Sequence, residues 1–161
     1  MEVSAKLRWV EGLKFNAEIQ GRTIELNSAD EMGHAFTPME LLLAALGGCT
    51  GMDFQWILTQ QRQHLTGLDI SVVGKRRDED PRYFEAIDLN YTVHGTDIRR
   101  EAVERAICLS QEKYCSVEAM LKDSIKFTIS CSIVNGSEPP RKFIYQNPIT
   151  ARRFAMRHAP H

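Results

Sequence analysis

Cysteine is scarce in this chain, and the arrangements that would give it a structural job are missing. The four cysteines, Cys49, Cys108, Cys115 and Cys131, include no CxxC pair, and none has a histidine at zinc-ligand spacing. That argues against a structural zinc site and against a disulfide-dense scaffold. Net charge is nearly absent too: the formal balance over 161 residues is −1, so the whole chain makes no electrostatic demand for nucleic acid or an acidic membrane surface. The longest apolar run, Leu41 to Met52, spans 12 positions, is broken by glycines, Cys49 and Thr50, and is too short to cross a bilayer. The opening MEVSAKLRWVEG lacks an apolar core segment and a small-residue cleavage site, so no secretory signal is expected and a cytoplasmic location is. Internal repeats and low-complexity stretches are absent. What remains, 43% apolar and 25% charged, fits one globular domain with a sizeable core, or such a domain plus a tail.

Val3, Ala5, Leu7 and Trp9 alternate with more polar neighbours, as do Phe15, Ala17 and Ile19. A third short run follows from Thr23 to Leu26, with Gly12 and Gly21 at the reversals, which predicts an antiparallel meander. Thr37 then stands at an N-cap, with Pro38 at the first helical position and Glu40 three residues after the cap. This capping box opens a helix expected to reach about Gln61 and to be buried on all sides, since Leu41 to Leu46 are apolar all round. Strands are expected over 68–73 and 84–93, a helix from Asp97, a short helix over 116–122, and a last alternating strand from Ile125 to Ile133. The order βββ–α–ββ–αα–β indicates an α+β domain over residues 1–136. After Gly136 the composition changes: three prolines in the first half of the segment (Pro139, Pro140, Pro148) and five basic residues against one acid overall predict a basic tail over 137–161. Such a segment is expected to be mobile, with the acidic domain surface available for it to rest on, although Phe143, Ile144 and Tyr145 would also suit a docked one.

In a reducing compartment the thiols are either core residues or reagents. Cys131 falls on the inward face of the last strand and Cys108 sits between Ile107 and Leu109 in a helix, so both read as small buried hydrophobes. Cys115 directly precedes the short helix SVEAML, where free N–H groups favour thiolate over thiol. Cys49 is surrounded by Gly47, Gly48 and Gly51 inside the long helix. Each glycine costs a helix interior roughly 0.5–1 kcal/mol relative to alanine. They serve either tight packing in a crowded core or an opening beside a thiol. Asp53, one helical turn after Cys49, either faces the same pocket or lies on the helix surface. His34, His64 and His94 are scattered and read as surface or loop residues, and no metal or cofactor site is expected.

The stretch TPMELLLAALGGC, with proline eleven residues before cysteine, resembles the central-helix signature of the OsmC/Ohr family of thiol peroxidases. KYCSVEAML resembles that family's second cysteine motif, and the resemblance covers roughly residues 3–134, with its details closest to a small, poorly characterised bacterial branch. It implies an OsmC-like fold, antiparallel sheets wrapped around central buried helices in an intertwined homodimer. It also implies a two-cysteine peroxidase with no cofactor, which reduces organic hydroperoxides or hydrogen peroxide and is recycled by a dithiol reductant. Cys49 then matches the peroxidatic residue and Cys115 the resolving one. The chain departs from the family pattern at two points. Met39 stands where characterised members carry glutamate after the motif proline, leaving Glu40 one residue later. In the first hairpin, where those members carry a thiolate-holding arginine, only Lys14 is found. The alternative implied by these departures is a non-enzymatic OsmC-fold protein that binds a small ligand or senses oxidants.

Overall fold

The computed structural model describes residues 1–28 and 33–146. Contacts divide the chain into two compact units, residues 1–44 and 45–161, with the boundary inside the long helix.

The first unit is the expected meander. Strands β1 (Ala5–Glu11), β2 (Lys14–Ile19) and β3 (Arg22–Asn27) pair antiparallel in sequence order. Its two turns place Gly12 at φ +48° and Gly21 at φ +76°, a region that glycine enters without the Cβ clash of other residues. Leu7, Trp9 and Leu13 stay well exposed in the single chain, and of the three strands only Ala17 is buried. Helix α1 (Pro38–Gln60) starts at the capping box: Thr37 N–H donates to Glu40 Oε2 at 2.8 Å, and Glu40 N–H donates to Thr37 Oγ1 at 3.3 Å.

The second unit carries a four-stranded sheet in the order β4 (His64–Arg76), β5 (Phe84–Thr96), β6 (Lys126–Asn135), β7 (Arg141–Tyr145). Between β5 and β6 lie α2 (Arg100–Leu109), a π-helical turn (Ser110–Tyr114) and α3 (Ser116–Leu121). Alternation sets the core face of the sheet. Ile87, Leu89, Tyr91 and Val93 of β5 are buried, as are Ile129, Cys131 and Ile133 of β6.

Three expectations need correcting. The sheets are not all antiparallel: β5 and β6 pair in parallel, from Ala86 opposite Lys126 to Gly95 opposite Asn135. The helices between them form a crossover that returns the chain to the same end, which parallel pairing requires. The α+β class itself stands.

The segment after Gly136 is not an appendage throughout. Residues 141–145 add an edge strand antiparallel to β6, with Cys131 opposite Phe143, and the Arg100 guanidinium lies 4.4 Å from the Phe143 ring centre. Pro139 and Pro140 precede this strand rather than interrupt it, so they cost it no ladder bond. Pro148 and the basic residues from Arg152 onward lie outside the described residues.

Helix α1 is not buried on all sides in the single chain. Leu46, Thr50, Phe54, Ile57 and Leu58 are buried, whereas Met52 is 75% exposed and Trp56 50%. The sheet covers one side only: Phe54 stacks on Tyr91 of β5 with ring centres 4.8 Å apart. At 23 residues α1 is long and apolar enough to cross a membrane. These packing contacts are those of a core helix.

Candidate functional site

Cys49 and Asp53 sit one turn apart on α1, so their side chains share a face. The residue between them on the buried side, Thr50, is fully enclosed; its hydroxyl donates back to the Gly47 carbonyl at 3.3 Å and bonds with the Tyr91 phenol. Two of the three glycines are explained by packing. A Cβ on Gly47 would stand 2.9 Å from Val72 Cγ2, and one on Gly51 would stand 2.6 Å from Ile70 Cδ1, so they let α1 lie tightly on β4. Gly48 differs: a Cβ there would meet nothing within 4 Å. The helix is open next to Cys49.

Cys115 arrives from the other end of this unit's helical layer. Helix α2 widens into the π-helical turn, and Cys115 N–H reaches back five residues to the Ser110 carbonyl at 2.8 Å. Such single wide turns recur at functional sites because they re-aim the residues that follow. Cys115 then caps α3 in extended geometry, its Sγ accepting the Glu118 N–H at 3.3 Å. The sulfur thus takes the place of the usual capping oxygen.

The fold brings the two cysteines together. The side-chain donor atoms of Cys49, Asp53 and Cys115 all lie within 4.8 Å of one another, although 66 positions separate the cysteines. Their environments are unequal. Cys49 is partly exposed and Cys115 is 2% exposed. The helix-start position was expected to favour the Cys115 thiolate; burial overrides it. Burial first, and then the hydrogen bond with Cys49, push the Cys115 thiol up to about 12 against the opposing Glu118 N–H. Cys115 therefore remains a thiol beside the Cys49 sulfur.

Two carboxyl groups complete the surroundings. Asp53 accepts the Ser110 hydroxyl at 3.1 Å, while partial burial raises its pKa above the ordinary aspartate value. Glu118 is 2% exposed: Oε1 accepts the Gln111 amide at 2.7 Å, whereas Oε2 has no hydrogen-bond partner. Burial raises the pKa of Glu118 as well, with the Gln111 bond and Lys122 opposing the rise. A buried carboxyl with a free oxygen is stable chiefly in its protonated form.

The other sequence candidates lie elsewhere in their contacts. Lys14 Nζ pairs with Glu25 Oε2 at 2.9 Å, and Glu40 serves the capping box described above. Cys131 is buried on β6, its thiol pushed up to about 12 chiefly by desolvation, and Cys108 hydrogen-bonds with Tyr145 of β7. Sequence reasoning did not single out Ser110, Gln111, Tyr91 or Glu118. Of these only Glu118 had a usable signal, an acid three residues after a helix N-cap.

The family profile described as OsmC-like protein matches residues 30–130. Protein YhfA of Escherichia coli K12 is 41% identical over 135 residues, covering 82% of this chain and 98% of YhfA. Among solved structures, a hypothetical protein from Aquifex aeolicus is 32% identical with a TM-score of 0.75, covering 83% of this chain and 96% of that one. An organic hydroperoxide resistance protein OsmC from Legionella pneumophila shares the fold at a TM-score of 0.61 and 15% identity, covering 84% of this chain and 97% of that one.

Proposed function

Because the chain belongs to the OsmC-like family, we propose that it is a thiol-dependent peroxidase reducing organic hydroperoxides or hydrogen peroxide. One observation carries the reading: two cysteines far apart in sequence meet beside a helix face left open by Gly48. The name of the Legionella relative points to the same substrate class.

The thiolate of Cys49 attacks the outer peroxide oxygen and the O–O bond breaks. The products are a Cys49 sulfenic acid and an alkoxide, which takes up a proton to leave as alcohol. The Cys115 sulfur then attacks the Cys49 sulfur; an S–S bond forms, and the sulfenic oxygen leaves with the Cys115 proton as water. A dithiol reductant restores both thiols and is itself oxidised to a disulfide. Unequal burial supports this division of roles. A thiol held near 12 and shut from solvent does not attack a peroxide, but it holds its proton where the leaving hydroxyl needs one. Asp53, whose pKa is raised by burial and whose carboxylate reaches within 4.8 Å of both sulfurs, is the carboxyl this reading gives proton exchange with the pair.

The working unit on this reading is a homodimer. Met52 and Trp56 on α1 are exposed apolar side chains, as separately are Leu7, Trp9 and Leu13 on the meander, and a second copy is the proposed cover for each. The need for a dithiol fits the cytoplasmic location expected from the sequence.

A second reading has one observation in its favour. Lys14 and Glu40, the nearest counterparts of the family's activating residues, are engaged by Glu25 and Thr37. An oxidant sensor would form the same disulfide without turning over. Peroxide consumption by purified protein with excess dithiol separates the two. Sustained consumption that is lost in Cys49→Ser supports the enzyme. A single stoichiometric loss of peroxide per chain supports the sensor, and equal consumption by both proteins removes the enzyme.

A further inference from the structure

We propose that the reduced site also binds a thiophilic divalent cation, Zn2+ being the type case, through Cys49, Asp53 and Cys115. The three donor atoms lie within 4.8 Å of one another. Zinc bonds of about 2.3 Å to sulfur and 2.0–2.2 Å to oxygen put tetrahedral donors roughly 3.5–3.8 Å apart. Closing that difference asks for side-chain adjustment of about an ångström, not backbone movement. No local sequence spacing announces this set, because its ligands come from α1 and from the residue after the π-helical turn.

The surroundings also suit a cation. Ser110 Oγ donates to Asp53 Oδ2 at 3.1 Å, which holds the carboxylate in place beside the thiols. Such a supporting bond is the usual companion of a metal-bound carboxylate. Two thiolates and one carboxylate form a soft, anionic set that selects zinc or cobalt over magnesium or calcium, and the fourth position is left to water.

The consequence is mutual exclusion. A bound cation occupies the Cys49 lone pair that would attack an oxidant. Oxidation of the pair to a disulfide removes both thiolate ligands and releases the cation. The site is thus a reversible metal-sensitive lock on the reduced state, and it does not require that the chain turn over peroxide.

The test is anaerobic titration of the reduced, full-length chain with Co2+, followed by near-ultraviolet thiolate-to-cobalt absorption and by Zn2+ displacement. Expected are saturation at one ion per chain, at least a tenfold loss of affinity in Asp53→Asn, and collapse of the band in Cys49→Ser and Cys115→Ser. Protein oxidised to the disulfide should show no band. A thiolate-to-cobalt band that survives Cys49→Ser at full strength, as binding through Cys108 or Cys131 would give, overturns the proposal. So does affinity unchanged by Asp53→Asn in protein of unaltered circular dichroism, or no band in the reduced wild type. Peroxide turnover assayed without metal reports on the peroxidase reading alone, so failure of one is distinct from failure of the other.

Discussion

Cys115 has two jobs that substitution can separate. It is the N-cap of α3, with its sulfur 3.3 Å from the Glu118 N–H, and it is the proposed resolving thiol. Serine keeps a capping acceptor and ranks among the best capping residues; alanine has none, and losing such a cap costs about 1 kcal/mol. Alanine also empties a site that is 2% exposed, worth about another 0.8 kcal/mol for one buried heavy atom. Cys115→Ala should therefore unfold about 2 kcal/mol more easily than Cys115→Ser. That is roughly 4–8 °C in melting temperature for a chain of this size. Cys115→Ser should stay close to wild type. Both variants should lose the disulfide alike. On treatment with cumene hydroperoxide each should accumulate Cys49 sulfenic acid, trappable with a dimedone probe, and then over-oxidise. Melting curves and probe mass spectrometry on the two proteins read both effects. Equal stability of the serine and alanine variants would refute the capping role. Absence of any trapped sulfenic acid would refute the resolving role.

Glu118→Gln removes a carboxyl whose pKa burial raises, so the sign is fixed. The stability this group contributes is complete below the unfolded glutamate pKa and is lost as pH rises through the folded value. The melting temperature of Glu118→Gln relative to wild type should thus climb between pH 5 and pH 8; a constant difference would contradict the buried, protonated carboxyl. Phe54→Ala deletes a fully buried ring stacked on Tyr91 and should cost about 3–5 kcal/mol, seen as a melting temperature lower by roughly 6–20 °C. Trp56→Glu places a charge on the exposed apolar face of α1, where Trp56 meets Tyr114 edge-on at 5.5 Å. Light scattering should shift from dimer to monomer, and an unchanged mass would show that this face is not the interface.

Much of the fold was legible because local rules agreed with one another. The Thr37–Glu40 box, with Pro38 between, opened α1 where reciprocal hydrogen bonds now show it, and strict alternation located β6. β7 is visible in the sequence only as the docked alternative carried by Phe143, Ile144 and Tyr145, because Pro139 and Pro140 directly ahead of it favour an irregular tail. The apolar circumference of α1 spoke of burial on every side, but a single chain supplies a sheet for one side only. In the site, Asp53 was within reach of sequence reasoning through its one-turn spacing from Cys49. Ser110 and Gln111 were not. They belong to a π-helical turn, and a periodicity of 3.6 residues places side chains wrongly once the helix widens. The high pKa of Cys115 was equally hidden, since it follows from tertiary burial that a helix-start argument does not contain. The glycines split between both readings offered for them: Gly47 and Gly51 serve packing, and Gly48 leaves space.

The most direct test of the paired-thiol chemistry is a disulfide map. Reduced protein is treated with one equivalent of cumene hydroperoxide, free thiols are alkylated before and after unfolding, and peptides are identified by mass spectrometry. The expected result is a Cys49–Cys115 crosslink, with Cys108 and Cys131 still reduced and Cys131 alkylated only after unfolding. A bridge through Cys108 or Cys131, or indiscriminate oxidation with no Cys49–Cys115 bond, would contradict it.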